Sequence, residues 1–134
     1  MKTSKIIFTN GCFDIVHRYH IELFKFCKQR GYVVVGLNSD DSVRRLKGAT
    51  RPINSQEDRK FILMSLKYVD EVIIFEEGTP YNLIKRVNPD EIIKGGDYRV
   101  EDVVGHDIAS VVLFPYNKDY STTKTINKIN NTKI

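Results

Sequence analysis

The sequence predicts an α/β fold, a doubly wound parallel sheet of five strands with helices on both faces. Short apolar runs typical of buried strands alternate along all 134 residues with segments whose apolar residues recur every three or four positions. Repeated units of strand, helical crossover and strand build one parallel sheet. Because this length suits about one domain, we expect a single domain over residues 1–134.

Five short apolar runs predict the strands of this sheet. They are rich in β-branched and aromatic residues, and turn residues such as Asn10 and Gly11 follow the first run. The predicted strands cover residues 5–9, 32–37, 72–75, 91–94 and 110–114.

Helical periodicity and cap residues predict the segments between the strands. Ile21, Phe24 and Cys27 recur at steps of three, the spacing of a buried helix face. The predicted helices begin at about Ile21, after cap residues 38–40, at Ser55, at Pro80 and at Ser121. Residues 101–108 fit either a helix or a loop, and residues 127–134 are polar enough to fray.

Polar segments follow the strands at the edge where such sheets bind ligands. In open α/β sheets this edge is formed by the carboxyl ends of the strands, near the switch in strand order. The polar segments expected there are residues 10–20, 38–40, 95–97 and 116–123. Their common location predicts one site.

Two histidines mark the start of the first helix. His17 and His20 are three residues apart and therefore lie on one helix face. The free N–H groups and dipole of a helix N-terminus favour an anion, and two imidazoles can donate further hydrogen bonds to phosphate oxygens. A histidine pair alone is more often a surface feature, but the other polar segments favour a phosphate site.

The composition limits the classes of partner that we expect for the chain. The formal net charge is +4, but the basic residues are spread along the chain without a nucleic-acid-binding motif, so no nucleic acid is expected. No apolar run approaches the roughly 18–20 residues that span a bilayer, and we expect a cytoplasmic protein without membrane contact. Cys12 and Cys27 lack metal-ligand spacing and are expected to be free thiols.

The segment from Gly11 to His20 resembles the signature of a known enzyme family. Gly-Cys-Phe-Asp at residues 11–14, followed by His17 and His20, is similar to the His-x-Gly-His motif of the cytidylyltransferase-like nucleotidyltransferase superfamily. The resemblance implies a Rossmann-like doubly wound sheet. Tyr19 stands where the family has glycine, a residue that lets the nucleotide approach the backbone closely.

Later segments resemble one branch of this family. Lys-Gly-Gly-Asp-Tyr at residues 94–98, with residues 101–105, looks like the adenylyltransferase domains of bacterial ADP-heptose synthases. Glycerol-3-phosphate cytidylyltransferases share most other features but usually carry threonine at the position of Cys12. The implied reaction transfers a nucleoside monophosphate, AMP from ATP, to a sugar phosphate such as heptose 1-phosphate, with release of pyrophosphate.

The resemblance also implies roles for individual residues. The residues with an implied catalytic role are His17, His20 and Lys47. The nucleotide would be bound by Gly11, Cys12, Phe13, Asp14, Tyr19, Gly95, Asp97, Ser121, Thr122 and Thr123. The acceptor would be bound by Asn38, Asp40, Arg51 and Arg59. Mg²⁺ is expected with the triphosphate, although the sequence does not identify its ligands, and relatives suggest a homodimer.

Two other functions stay open at this point. One is a cytidylyltransferase acting on glycerol 3-phosphate or a related phosphorylated alcohol. The other is a nucleotide-binding protein with weak catalysis, because the Tyr19 ring could obstruct the nucleotide. The same ring could instead point away or stack on the nucleotide.

Overall fold

The computed structural model describes residues 4–115 and 119–132 and contains one five-stranded sheet with parallel strand pairs. The strands are β1 (Ile6–Gly11), β2 (Tyr32–Asn38), β3 (Glu71–Phe75), β4 (Glu91–Gly95) and β5 (Ser110–Phe114). Their order is β3-β2-β1-β4-β5, which confirms the predicted α/β class. β1 is longer than predicted, because Asn10 and Gly11 still pair with Gly36 and Leu37 of β2.

Helices connect the strands as the sequence predicts. They are α1 (Arg18–Arg30), α2 (Asp40–Lys47), α3 (Gln56–Met64), α4 (Tyr81–Val87) and α5 (Thr122–Asn130). α1 begins before the predicted Ile21, because His17 caps it and the His17 N–H donates to Nδ1 of His20. None of the helices in the described part of the chain is long and apolar enough to cross a bilayer.

The structure defines the secondary structure of two segments that the sequence pattern left uncertain. Residues 101–108 form no α-helix: the 3₁₀ turn Val100–Asp102 is followed by turns. α5 continues to Asn130, through the first part of the segment expected to fray. Its start is held by Ser121, whose Oγ accepts a hydrogen bond from the N–H of Lys124 at 2.9 Å.

The strand order creates a crevice beside β1. The chain passes from β1 to β2 and β3 on one side and then returns to β4 on the other side of β1. The connections that follow β1 and β4 therefore leave the sheet in different directions, and the gap between the two carboxyl ends is where such sheets bind ligands.

Apolar side chains fill both faces of the sheet. On one face Ile7 and Ile93 pack with Phe24 of α1 and Leu63 of α3 in the first core cluster. On the opposite face lies the second core cluster, formed by Phe8, Val34, Phe75, Leu83, Ile84, Ile92 and Val103. Because side chains of a strand alternate between faces, these clusters fix which residues at the strand ends share a side.

The amino end of the sheet is held by an ion pair. The side chain of Glu91 at the start of β4 is only 9% exposed and accepts hydrogen bonds from Nε and Nη2 of Arg30 at 2.6 and 3.0 Å. The hydrogen bonds from Arg30 hold the pKa of Glu91 below its ordinary value of 4.5. The pair thereby joins the last turn of α1 to β4.

Glu91→Gln is expected to lower the free energy of unfolding by about 1–2 kcal/mol at neutral pH, because the charge-assisted bonds to Arg30 are lost. The lowered pKa of Glu91 means that this stabilisation is present above 4.5 and is lost as the pH falls through the folded-state value. Urea unfolding from about pH 7 to 3 should therefore show a smaller acid-dependent loss in the variant. The exposed Glu101 serves as the control, since Glu101→Gln should change stability little.

Candidate active site

The carboxyl edge of the sheet contains a cavity of about 620 Å³. Most of the predicted site residues line it, namely Gly11, Cys12, Phe13, Asp14, His17, Tyr19, His20, Asn38, Lys47, Arg51, Gly95, Ser121, Thr122 and Thr123. Asp40, Arg59 and Asp97 lie outside its lining. Of the polar segment predicted at residues 116–123, the structure describes residues 119–123. Residues 116–118 lie outside the described ranges.

The two histidines form a stacked pair at the start of α1. Their ring centroids are 3.8 Å apart with an interplanar angle of 18°. Nδ1 of His20 accepts the backbone N–H of His17 at 3.2 Å, which assigns the proton of a neutral His20 to Nε2. Burial, followed by the neighbouring His17, lowers the pKa of His20 to about 3, and burial lowers the pKa of His17 as well. At neutral pH His20 is therefore an uncharged hydrogen-bond donor.

Tyr19 extends from α1 toward the ends of β4 and β5. A Cβ built on Gly95 would lie 2.8 Å from Oη of Tyr19, so the absence of a side chain at Gly95 makes room for the phenol. The Tyr19 ring also lies 5.5 Å from the ring of Phe114, measured between centroids. The ring thus packs on the end of the sheet while it forms part of the cavity wall.

Asp14 shapes the turn between β1 and α1. Its buried carboxylate accepts the backbone N–H groups of Ile53 and Asn54 at 2.7 and 3.0 Å. The residues on either side, Phe13 and Ile15, have φ values of 45° and 52°, a left-handed conformation that is costly for side chains of this kind. The hydrogen bonds of Asp14 therefore keep a strained turn in place beside the histidines.

Arg59, one of the residues predicted to bind the acceptor, is buried outside the cavity lining. It is 1% exposed, and its guanidinium donates to the carbonyl oxygens of Cys12 and Asn38, both at 2.8 Å. It also donates to the carbonyl of Asn54 at 3.0 Å and to Oδ1 of Asp40 at 2.9 Å. Arg59 and Asp40 therefore join the ends of β1 and β2 to α2 and α3 behind the cavity.

The start of α5 forms one wall of the cavity. Oγ1 of Thr122 donates to the carbonyl oxygen of Asp14 at 2.6 Å, which holds α5 against the turn after β1. Ser121, Thr122 and Thr123 line the same cavity as His17 and His20 at the start of α1. Two helix N-termini, each with free backbone N–H groups, therefore meet at one cavity.

The charged residues of the cavity favour an anionic ligand. Lys47, Arg51 and Lys94 line it, and among the described lining residues Asp14 is the only acidic one. The carboxylate of Asp14 is occupied by backbone N–H groups and by Arg51, whose Nε lies 3.4 Å from Oδ2. Positive charge is therefore available to a ligand.

Several lining residues were not assigned a role from the sequence. They are Asn10, Lys94, Tyr98 and Tyr120, together with the less polar Thr9, Leu23 and Leu46. The position of Lys94 next to Gly95 was a usable signal, because a lysine at the carboxyl end of an otherwise apolar strand is directed to the ligand edge. Asp97, in contrast, is exposed beyond the end of β4.

Comparisons with known proteins agree with this geometry. Residues 8–130 match the family model described as cytidylyltransferase-like, and the chain belongs to this family. It is 52% identical over 128 residues to the bifunctional protein HldE of Aliarcobacter butzleri and 50% identical over 132 residues to that of Campylobacter concisus. These matches cover 94% and 97% of this chain but only 27% and 28% of the relatives, so the chain spans little more than a quarter of their length.

Solved structures share the fold. A lipopolysaccharide core biosynthesis protein from Thermoplasma volcanium aligns with a TM-score of 0.71 and 26% identity over 87% of this chain and 98% of its own. Pantothenate synthetase from Thermus thermophilus aligns with a TM-score of 0.62 over 93% of this chain and 64% of its own. At 14% identity the second likeness shows the fold alone. The resemblance read from residues 11–20 and 94–98 is thus confirmed at the level of the family.

Arg59→Met is expected to lower the free energy of unfolding by about 3 kcal/mol or more, because four buried or partly buried acceptors lose their donor. Arg59→Lys should recover only part of the lost stability, because an ammonium group cannot donate in all the directions that the planar guanidinium covers. Urea unfolding of both variants measures the effect. Lys60→Met, on the exposed side of α3, is the control. Unchanged stability in Arg59→Met would contradict the structural role.

Proposed function

We propose that this chain transfers AMP from ATP to a heptose 1-phosphate and releases pyrophosphate. The observation that carries the proposal is the meeting of the histidine pair with the N-termini of α1 and α5 at one cationic cavity. Identity of about 50% to HldE proteins across most of the chain, together with the Lys-Gly-Gly-Asp-Tyr segment at residues 94–98, supports heptose phosphate as the acceptor class.

The reaction exchanges one phosphoanhydride bond for another. An oxygen of the acceptor phosphate forms a bond to the α-phosphorus of the nucleotide, the bond from that phosphorus to the bridging oxygen breaks, and the pair of electrons leaves with pyrophosphate. An acceptor phosphate is already ionised near neutral pH, so a general base is not needed. The protein has to align the two phosphates and balance their charge.

The lining residues suit these two tasks. The free N–H groups at the start of α5, with Ser121 and Thr122, would hold the β- and γ-phosphates. His17 and His20 would donate to the α-phosphate, where an uncharged donor stabilises developing negative charge without repelling the lysines. Lys47 would supply charge from the end of α2.

Mg²⁺ would accompany the triphosphate. Within residues 4–115 and 119–132 no group of three or more His, Cys, Asp or Glu side chains is arranged to hold a metal ion. The carboxylate of Asp14 is already occupied. Since Mg²⁺ is commonly held by substrate phosphates and water with few protein ligands, we propose that the phosphate oxygens of the nucleotide supply its main ligands and that the ion balances their charge.

We propose that residues 1–134 act as a single nucleotidyltransferase domain that works in the cytoplasm and activates a sugar for lipopolysaccharide. A homodimer, suggested by the resemblance, stays a prediction.

A pyrophosphate-release assay tests the proposal with four substrate pairs, in which ATP or CTP is combined with heptose 1-phosphate or glycerol 3-phosphate. We expect turnover with ATP and heptose 1-phosphate only. His20→Ala should lower kcat about 100-fold or more, because a donor to the transition state is lost. His106→Ala is the matched control, since His106 is exposed and outside the cavity lining.

Other outcomes of this assay identify the competing functions. Turnover with CTP alone would contradict the adenylyl donor. Calorimetric binding of ATP without pyrophosphate release from any pair would identify a nucleotide-binding protein that lacks transfer activity.

Tyr19→Gly is expected to raise the Kd for ATP about three- to tenfold, because the ring that forms the cavity wall over Gly95 is removed. Tyr19→Phe keeps the ring and should bind ATP almost as the parent protein does. Calorimetry measures the affinity, and thermal unfolding checks that the glycine in α1 has not unfolded the helix. Higher turnover in Tyr19→Gly would show that the ring obstructs the nucleotide.

A further inference from the structure

Lys94 brings a positive charge to the ligand edge from the second face of the sheet. Ile92 belongs to the core cluster that contains Leu83 of α4, and Ile93 belongs to the cluster on the α1 face. Because side chains alternate along β4, Lys94 follows Ile92 and emerges on the α4 face. Gly95 follows Ile93, which agrees with the contact between its backbone and Tyr19 of α1.

The ammonium group of Lys94 has no carboxylate partner among the residues that the structure describes. Lys5 and Lys28 pair with Glu91 and Asp70, whereas none of the ion pairs formed within residues 4–115 and 119–132 includes Lys94. Its nitrogen lies 4.7 Å from the centroid of the Tyr98 ring, and the side chain is partly buried. Burial also lowers the pKa of Lys94, which shows that the charge is poorly solvated in the free protein.

A hydrogen-bonding side chain lies beside this lysine. Phe8 of β1 pairs with Ile92 of β4. Asn10 comes two residues after Phe8, as Lys94 comes two residues after Ile92, so both emerge on the same face of neighbouring strands. Both line the cavity. An amide N–H donor next to an ammonium group is a combination that suits a phosphate monoester.

At the carboxyl end of the sheet, the histidines and Lys94 lie on opposite faces, and we relate these faces to opposite sides of the transferred phosphorus. His20 packs edge-on against Phe13, which belongs to the core cluster on the α1 face, whereas Lys94 and Asn10 emerge on the α4 face. Attacking and leaving oxygens lie roughly in line on opposite sides of the transferred phosphorus. With pyrophosphate held at the helix N-termini, the acceptor therefore approaches from the side of Lys94.

We propose that Lys94, together with Asn10, binds the phosphate group of the acceptor sugar phosphate. This inference rests on the proposed function for the identity of the acceptor. It gives a binding partner to a lysine of the cavity wall that forms no ion pair with the described residues. It also gives the acceptor phosphate a binding position separate from that of the phosphates of ATP.

The experiment measures ligand affinity by calorimetry, without turnover. The parent protein and the variants Lys94→Met, Lys94→Arg and Asn10→Ala are titrated with heptose 1-phosphate and with unphosphorylated heptose, in the presence of a non-hydrolysable ATP analogue bridged by an α,β-methylene group. Lys94→Met should raise the Kd for heptose 1-phosphate at least about tenfold, Lys94→Arg should retain most of the affinity, and Asn10→Ala should cause a smaller loss. The Kd for the ATP analogue should change less than about twofold in Lys94→Met.

Two controls separate this role from a structural one. Lys60→Met removes an exposed lysine outside the cavity and should leave both affinities unchanged. Lys94→Met should unfold within about 4 °C of the parent protein, because Lys94 has no carboxylate partner within residues 4–115 and 119–132 and its charge therefore contributes little to the fold. A larger fall in melting temperature, with both ligands affected equally, would overturn the inference in favour of a structural lysine.

The failure of this inference differs from the failure of the proposed function. Lys94-dependent binding of heptose 1-phosphate without pyrophosphate release would sustain the inference and contradict the transfer reaction. Pyrophosphate release by the parent protein, with weaker binding of the ATP analogue but unchanged binding of heptose 1-phosphate in Lys94→Met, would overturn the inference alone. No binding of heptose 1-phosphate to the parent protein would overturn both.

Discussion

The site depends on one buried guanidinium, that of Arg59. Its donors reach the carbonyl of Cys12 after β1, the carbonyl of Asn38 at the end of β2 and the carboxylate of Asp40 in α2. Burying a charge is costly unless its hydrogen bonds are satisfied, and here protein oxygens satisfy it from several elements. The carboxyl ends of two strands and the start of α2 are therefore held in one arrangement before any ligand arrives.

Asp14 extends this arrangement to the start of α5. Its carboxylate binds the segment before α3, while its own carbonyl accepts the hydroxyl of Thr122 from α5. The turn between β1 and α1 is strained at Phe13 and Ile15, and it persists because both neighbouring segments are bonded to it. The turn thereby brings the N-termini of α1 and α5 to one cavity.

The cavity contains both neutral and positively charged hydrogen-bond donors. His20 is kept uncharged by burial, so that it donates a hydrogen bond without adding to the repulsion among Lys47, Arg51 and Lys94. Asp14 places a negative charge near these cations but shares it with backbone N–H groups. The resulting excess of positive charge is suited to the proposed reaction, in which two phosphate-bearing substrates approach each other despite their own repulsion.

The sequence alone determined the fold class and most of the residues that line the candidate cavity. The spacing of apolar residues follows from the local geometry of strands and helices, so it predicts these elements and the edge of the sheet where ligands bind. His17, Lys47 and Ser121, which the sequence places at that edge, line the cavity. Only the tertiary structure decided what residues distant in sequence do together. Arg59 lies behind the cavity because its acceptors come from separate elements, Tyr19 finds room over Gly95, and Lys94 shares a face with Asn10 through strand pairing. Such contacts depend on which elements become neighbours, and this is set by packing of the whole chain instead of by local pattern.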